Sequence, residues 1–236
     1  MKYPELKNTP IKETIFSVSY NEIVNEDCFN KFLNLDKIKE TFKDVKLSID
    51  QKLDLKSDTV DISSSHSGYY LRSENEVLQL RKGSFSFHYL NGYKKFDTLL
   101  NSFSKYWNSF DNLTKDDLTI SNFSVRYINV IETDIENKPS DLVQLYPKQS
   151  GDKTVHNFHN SIQFSYEKHQ QYTINAVSTK INEKGVLLDI SVTGKSDNEI
   201  KKANLKKLFP PLQEIKNKAF FDSITARALL KYIENK

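Results

Sequence analysis

The sequence predicts an α+β protein in which antiparallel sheet carries long helices on one face. Several segments alternate apolar and polar residues, as strands with one buried face do. Two other segments repeat apolar residues at helical spacing, and short turn signals separate successive strands, which favours meanders over crossovers. We predict a single domain over residues 1–236, composed of two similarly laid-out halves, 1–113 and 114–236.

The first half is predicted to run β-α-βββ-α, with the number of strands open by one. Phe16 and Val18 alternate with serines, which indicates a strand over 12–20, and an amphipathic helix that starts after Asn25 follows it. The clearest helix spans about 94–110, because its apolar residues form one stripe. The other strands are predicted at 47–55, 69–73, 76–81 and 84–90, with 56–67 as a loop or an edge strand.

The second half is predicted to run β-loop-βββ-α-α. It begins with a long strand over 119–133 that carries Arg126 and Asn129 near its middle. Pro210 and Pro211 lie inside the first helical region and are predicted to break or restart it. The remaining elements are predicted as a helical turn at 141–146, strands at 158–167, 171–181 and 185–193, and a last helix at 222–233.

Composition argues against several classes of protein. The 34 basic and 31 acidic residues leave a net charge of +3, which makes a dedicated nucleic-acid binder an unfavoured interpretation. The single cysteine, Cys28, excludes an intramolecular disulfide framework and a multi-cysteine metal site. No apolar run is long enough to span a bilayer, and the first residues hold no apolar signal segment. We therefore expect a soluble cytoplasmic protein that needs no membrane.

No cofactor or metal site is predicted. His156 and His159 have the spacing of a helical metal-binding pair, but a strand points residues i and i+3 to opposite faces. No catalytic residues can be assigned, because the sequence contains neither a glycine-rich phosphate loop nor a nucleophile elbow.

Four strand residues are the candidate site. Glu13 opens the first strand, Arg126 and Asn129 lie in the central strand, and Asp189 lies in the last. If these strands share a sheet, Arg126 could contact both carboxylates. Such a set is either a structural ion-pair network that fixes strand register or a binding site, and the absence of any contact is the third alternative.

Short motifs in a fixed order give a resemblance to a known family. The segments that carry it are 8–16, 78–85, 93–96, 126–129, 187–190 and 219–225. Together they resemble a sporadically distributed, functionally uncharacterised bacterial family of about this length. The positions that fit its motifs are Pro10, Ile11, Glu13, Arg126, Tyr127, Asn129, Leu188 and Asp189. The resemblance implies carriage on mobile or defence-related loci, and it brings no activity with it.

Three functions are left open. A polar-aromatic sheet face without a catalytic signature favours a non-enzymatic module that binds a protein partner or forms a homo-oligomer. The alternative is a small-molecule-binding protein or enzyme with a cavity lined by Tyr and Phe between curved sheet and helices. Nucleic-acid binding across the sheet face is the third.

Overall fold

The computed structural model describes residues 3–55, 60–114, 118–132, 139–146, 157–181, 185–200 and 205–233. Within these ranges, five α-helices accompany a nine-stranded antiparallel sheet, which confirms the α+β class. The strands are β1 (Ile11–Tyr20), β2 (Asp44–Leu55), β3 (Val60–Arg72), β4 (Glu76–Arg81), β5 (Ser84–Tyr89), β6 (Ile120–Glu132), β7 (His159–Phe164), β8 (Tyr172–Ile181) and β9 (Gly185–Ile200). The helices are α1 (Glu26–Leu33), α2 (Asp36–Thr41), α3 (Phe96–Asp111), α4 (Leu205–Ser223) and α5 (Ala226–Ile233).

The strand order reflects the two similar halves. Across the described sheet it is β2-β3-β4-β5-β1-β6-β9-β8-β7. In each half the first strand pairs with the last strand of the meander that follows, so β1 pairs with β5 and β6 with β9. The two first strands then pair with each other, with Phe16 opposite Val125 and Thr14 opposite Tyr127. Both halves therefore contribute to one uninterrupted sheet.

One face of the sheet packs against the long helices. Phe16 of β1 contacts Phe103 of α3, with ring centroids 5.8 Å apart, and Phe209 of α4 at 5.5 Å. Phe85 of β5 contacts Trp107 of α3 at 5.6 Å. All five rings are fully buried. Large aromatic side chains thus supply the core of a chain with a modest apolar fraction, because each ring buries a large area.

The other face, which we call the polar face, carries short hydroxyl side chains along its central strands. Its members are the register-matched residues Ser17, Ser19, Ser84, Ser86, Ser124, Ser191 and Thr193. Side chains alternate between the two faces of a strand, so these residues point away from the aromatic core.

The first half has more elements than predicted. The single helix after Asn25 is two helices, because Leu35 is extended and redirects the chain so that Ile38 and Phe42 also reach the core. The segment predicted as a loop or an edge strand is largely strand, since β3 begins at Val60. The meander of this half therefore has four strands in the described residues, the higher of the two counts that the sequence left open.

Helix α4 runs through Pro210 and Pro211 without ending, so the predicted break was wrong. Two prolines remove two backbone hydrogen bonds and cost about 3 kcal/mol or more each in a helix interior. Phe209, Leu212 and Ile215 on both sides of them are buried, and each fully buried apolar side chain contributes roughly 1.5–3 kcal/mol. Packing of α4 against the sheet therefore offsets the low helix propensity of the two prolines. The last helix starts only at Ala226, where the Thr225 hydroxyl accepts a hydrogen bond from the Ala228 amide at 3.2 Å.

Candidate functional site

Arg126 and Asp189 meet on the polar face. The Nε of Arg126 donates to both carboxylate oxygens of Asp189, at 2.9 and 3.1 Å. They are diagonal neighbours across the β6–β9 ladder, where Arg126 lies opposite Ser191. The hydrogen bonds that Arg126 donates to Asp189 raise the pKa of Arg126, and the negative charges of Asp189 and Glu13 act in the same direction. The pair thus joins β6 and β9 on this face, as a structural ion-pair network or a binding site would.

Glu13 forms its hydrogen bond with a residue outside the predicted set. Its Oε1 lies 2.7 Å from Nδ1 of His88, and Nε2 of His88 lies 3.0 Å from the Ser86 hydroxyl. This chain of contacts has the order of a serine–histidine–carboxylate triad. However, β5 pairs with β4 on one side and β1 on the other, so the amides around Ser86 belong to the sheet ladders. An acyl-transfer site needs donors for the oxyanion, and this arrangement is better suited to fixing register.

Asn129 lies on the opposite face from Arg126 and Asp189. It is 1% exposed on the helix side, and its Nδ2 donates to the backbone oxygen of Leu188 at 2.9 Å. The predicted four-residue set is therefore divided: Arg126 and Asp189 pair, Glu13 lies beside them, and Asn129 belongs to another part of the molecule.

Asn129 lines a cavity of about 630 Å³ on the helix side of the sheet. Its walls come from the segment before β1, the start of α3 and the middle of α4. Aromatic side chains in the wall are Tyr3, Tyr93, Phe220 and Phe221, and polar ones include Gln213, Glu214, Lys216 and Asn217. This size is within the range of small-molecule sites, which also combine apolar walls with a few polar groups.

Lys216 is the unusual residue of this cavity. It is 7% exposed, and no carboxylate among the described residues forms an ion pair with it. Its Nζ lies 3.7 Å from the centre of the Tyr127 ring, a cation–π contact. Burial lowers the pKa of Lys216 from 10.5 to about 7. A lysine without a counter-ion at the wall of a cavity is both costly to the fold and available to a ligand.

Tyr127 adds a second buried polar group without a hydrogen-bond partner to this region. Its side chain is 1% exposed, and its hydroxyl has no hydrogen-bond partner among the described residues. Burial, helped by nearby Tyr93, raises its pKa, so the hydroxyl stays protonated. A buried donor without a partner costs roughly 1–3 kcal/mol. Lys216 and Tyr127 thus present two donors whose bonding capacity the described residues do not use.

The start of α3 forms another wall of the same cavity. Tyr93 and Lys95, which immediately precede the first turn, both line it. No side chain among the described residues caps this helix end at Lys95. The first amides of a helix carry a partial positive charge and lack intrahelical acceptors. Asp97 in the first turn of α3 complements part of this charge, and Lys95 adds a positive charge at the cavity wall.

The segment before β1 forms one wall of the cavity. The ring of Tyr3 stacks on Phe221 of α4 with centroids 4.5 Å apart, and the Lys7 amide donates to the Tyr232 oxygen at 2.8 Å. We call residues 3–10 the strap. These two contacts attach the strap to α4 and α5, and Leu6 of the strap packs against the core.

Lys216 and Tyr127 were not predicted as site residues. A signal for Lys216 exists: Phe209, Leu212, Lys216 and Phe220 follow helical spacing, so a charged residue occupies the buried stripe of α4. The strap has no such signal, because its docking on α4 and α5 depends on tertiary contacts.

Other candidates contribute no site among the described residues. Cys28 is buried, and burial raises the pKa of its thiol to about 11, so the thiolate is disfavoured. Over the same ranges, no group of three or more His, Cys, Asp or Glu residues is arranged to hold a metal ion. His156 lies outside the described residues. No helix in the described part has the length and apolar character needed to cross a membrane.

No family model matches the chain, and no curated protein matches it significantly.

Proposed function

We propose that this chain is a small-molecule-binding protein whose ligand carries a negative charge. The observation that supports this most strongly is Lys216, a buried lysine with no counter-ion at the wall of a 630 Å³ cavity. A buried charge without a partner is strongly unfavourable, and an anion in the cavity would supply the missing partner. This proposal favours the alternative over the interaction module that the sequence analysis ranked first.

The rest of the ligand is expected to be apolar or aromatic. Tyr93, Phe220 and Pro210 provide surfaces on which a ring or an alkyl chain can pack. Glu5 and Glu214, also in the wall, disfavour a second negative charge near them. The expected ligand is therefore a small molecule with one acidic group and one apolar body. The proposal assigns no catalytic step, and the cytoplasmic location stays a prediction from the sequence.

A pair of fluorescent probes tests the proposal. Anilinonaphthalene sulfonate is an aromatic anion, and phenylnaphthylamine is its neutral parent. We expect the anion to bind the protein, and we expect Lys216→Met to weaken it by about tenfold or more, since a charge-assisted contact contributes about 1.5–3 kcal/mol. The neutral probe should lose little or no affinity in the same variant.

The matched control is Lys206→Met. Lys206 is on the same helix, but it is exposed and donates to Asn101 at 2.9 Å. It should leave the affinity of both probes unchanged. Equal affinity of the anionic probe for the wild-type protein and Lys216→Met would overturn the proposal, because the anion would then be bound elsewhere.

A further inference from the structure

Strand β2 forms one edge of the sheet and exposes a row of apolar side chains. Val45, Leu47 and Ile49 are 46%, 61% and 59% exposed. β2 pairs with β3 on one side, and no strand of the described residues lies on its other side. Natural edge strands are usually short, bulged or charged enough to prevent pairing with another strand. The described part of β2 is twelve residues long.

The other edge of the sheet behaves differently. β7 is six residues long, and Ile162 is the large apolar side chain exposed along it. A short edge offers few backbone groups to a new strand, as expected for a protected edge. The contrast between the two edges singles out β2 as a surface suited to strand addition.

The C-terminal part of β2 pairs only with β3 and has no third strand of the described residues beside that pair. β4 pairs with β3 only from Gly68 to Arg72, so β2 and β3 continue beyond it as a two-stranded arm. Two strands alone are marginally stable in water. An additional strand beside β2 would extend the support over the part of the arm that begins at Ile49.

The charged residues of β2 are complementary to a second copy of β2 in one antiparallel register. On the face opposite the apolar row, Lys46 and Asp50 are four positions apart and both exposed, and each has one exposed ion-pair partner in its own chain, Asp44 at 3.3 Å and Arg81 at 3.6 Å. If a second β2 pairs antiparallel with Ser48 opposite Ser48, each Lys46 lies opposite the Asp50 of the other copy. The same register sets Leu47 opposite Ile49, so apolar residues also meet. A shift of one step brings Asp44 opposite Asp50, and a shift the other way separates Lys46 from Asp50.

We propose that two copies of this chain associate through β2, antiparallel and centred on Ser48, to form one continuous sheet. The occupant of the edge is thus a second identical strand. It places the apolar rows of the two copies side by side on one face, where they contact each other, and it satisfies outward backbone groups of both strands. This dimer is independent of the cavity and does not require the proposed ligand.

Two charge variants give a specific test. Lys46→Glu makes the edge acidic, and Asp50→Lys makes it basic. Sedimentation velocity over a dilution series should give a wild-type mass twice the 27.5 kDa of one chain. Each variant alone places like charges opposite each other, and its dissociation constant should rise about tenfold or more. An equimolar mixture of the two variants restores both opposite-charge pairs and should regain wild-type affinity.

Ile162→Lys at the β7 edge is the control and should leave the dissociation constant unchanged. A wild-type monomer at every concentration overturns the proposal. So does a dimer that both charge variants leave intact, since another surface would then hold it. A mixture that associates no better than its components overturns the proposed register. Unfolding curves of the variants, followed by the fluorescence of buried Trp107, establish that each variant is folded before its mass is measured by sedimentation.

Discussion

Replacing Lys216 by methionine should stabilise the unliganded protein, and the gain should depend on pH. The fall in the pKa of Lys216 from 10.5 to about 7 means that the buried ammonium costs on the order of 5 kcal/mol relative to the unfolded chain, at about 1.4 kcal/mol per pH unit. Methionine also loses the cation–π contact with Tyr127, worth about 2 kcal/mol when desolvated. The net gain is therefore roughly 3 kcal/mol near neutral and acidic pH.

The sign of the pH dependence follows from proton binding. The unfolded chain holds the Lys216 proton up to about pH 10.5, whereas the folded protein releases it above about pH 7. Between these values the unfolded state binds more protons, so wild-type stability rises with pH. The penalty is complete below the lower value and disappears above the higher one. The advantage of Lys216→Met should therefore be largest near about pH 6 and small near about pH 10.

Denaturant unfolding provides the assay. The protein has a single tryptophan, Trp107, which is fully buried, so its fluorescence reports the loss of the core. Lys206→Met, exposed on the same helix, should change the free energy of unfolding by no more than about 0.5 kcal/mol at any pH. If Lys216→Met destabilises the protein, or if its effect is the same across the pH range, the reasoning about an unpaired buried ammonium is refuted.

Three further predictions follow from other contacts. Arg126→Ala should reduce the free energy of unfolding by about 1 kcal/mol, because half of the arginine side chain is exposed and a surface ion pair contributes little. A loss above about 3 kcal/mol in urea unfolding would contradict this and show that the pair is essential for stability. Gly68→Ala should prevent stable folding or cost several kcal/mol, since its φ is +153° and an added Cβ would clash with the Leu80 backbone oxygen; a thermal midpoint like that of the wild type would contradict this. Tyr3→Ala removes the stack on Phe221 and should weaken binding of anilinonaphthalene sulfonate by opening the strap, and unchanged affinity would show that the strap does not close the site.

Some features of this molecule were predictable because they depend on local pattern. The alternation of apolar and polar residues in β1, β6 and β9 predicted which side chains face the helices. The apolar stripe of α3 predicted that this helix packs in the core. The Arg126–Asp189 pair was predictable as one of the alternatives for charges on strands of a shared sheet. The partner of Glu13 was not, because Ile15 lies opposite both Arg126 and His88, so the register leaves Glu13 diagonal to each of them and side-chain packing decides for His88.

The cavity could not have been placed from the sequence. Three segments distant along the chain form its walls, and the strap reaches α4 through contacts such as Tyr3 on Phe221. Likewise, α4 persists through Pro210 and Pro211 only because its flanking residues are buried. Tertiary packing decides both features, and local propensity opposes the second.

The pH dependence of probe binding tests the central claim most directly. Anilinonaphthalene sulfonate stays anionic across the accessible range, so Lys216 is the group whose titration should control its affinity. The account predicts that its dissociation constant rises about tenfold between about pH 6 and about pH 9 in the wild-type protein and stays constant in Lys216→Met. A constant value in the wild-type protein, or the same rise in both proteins, would contradict a binding site built around this buried lysine.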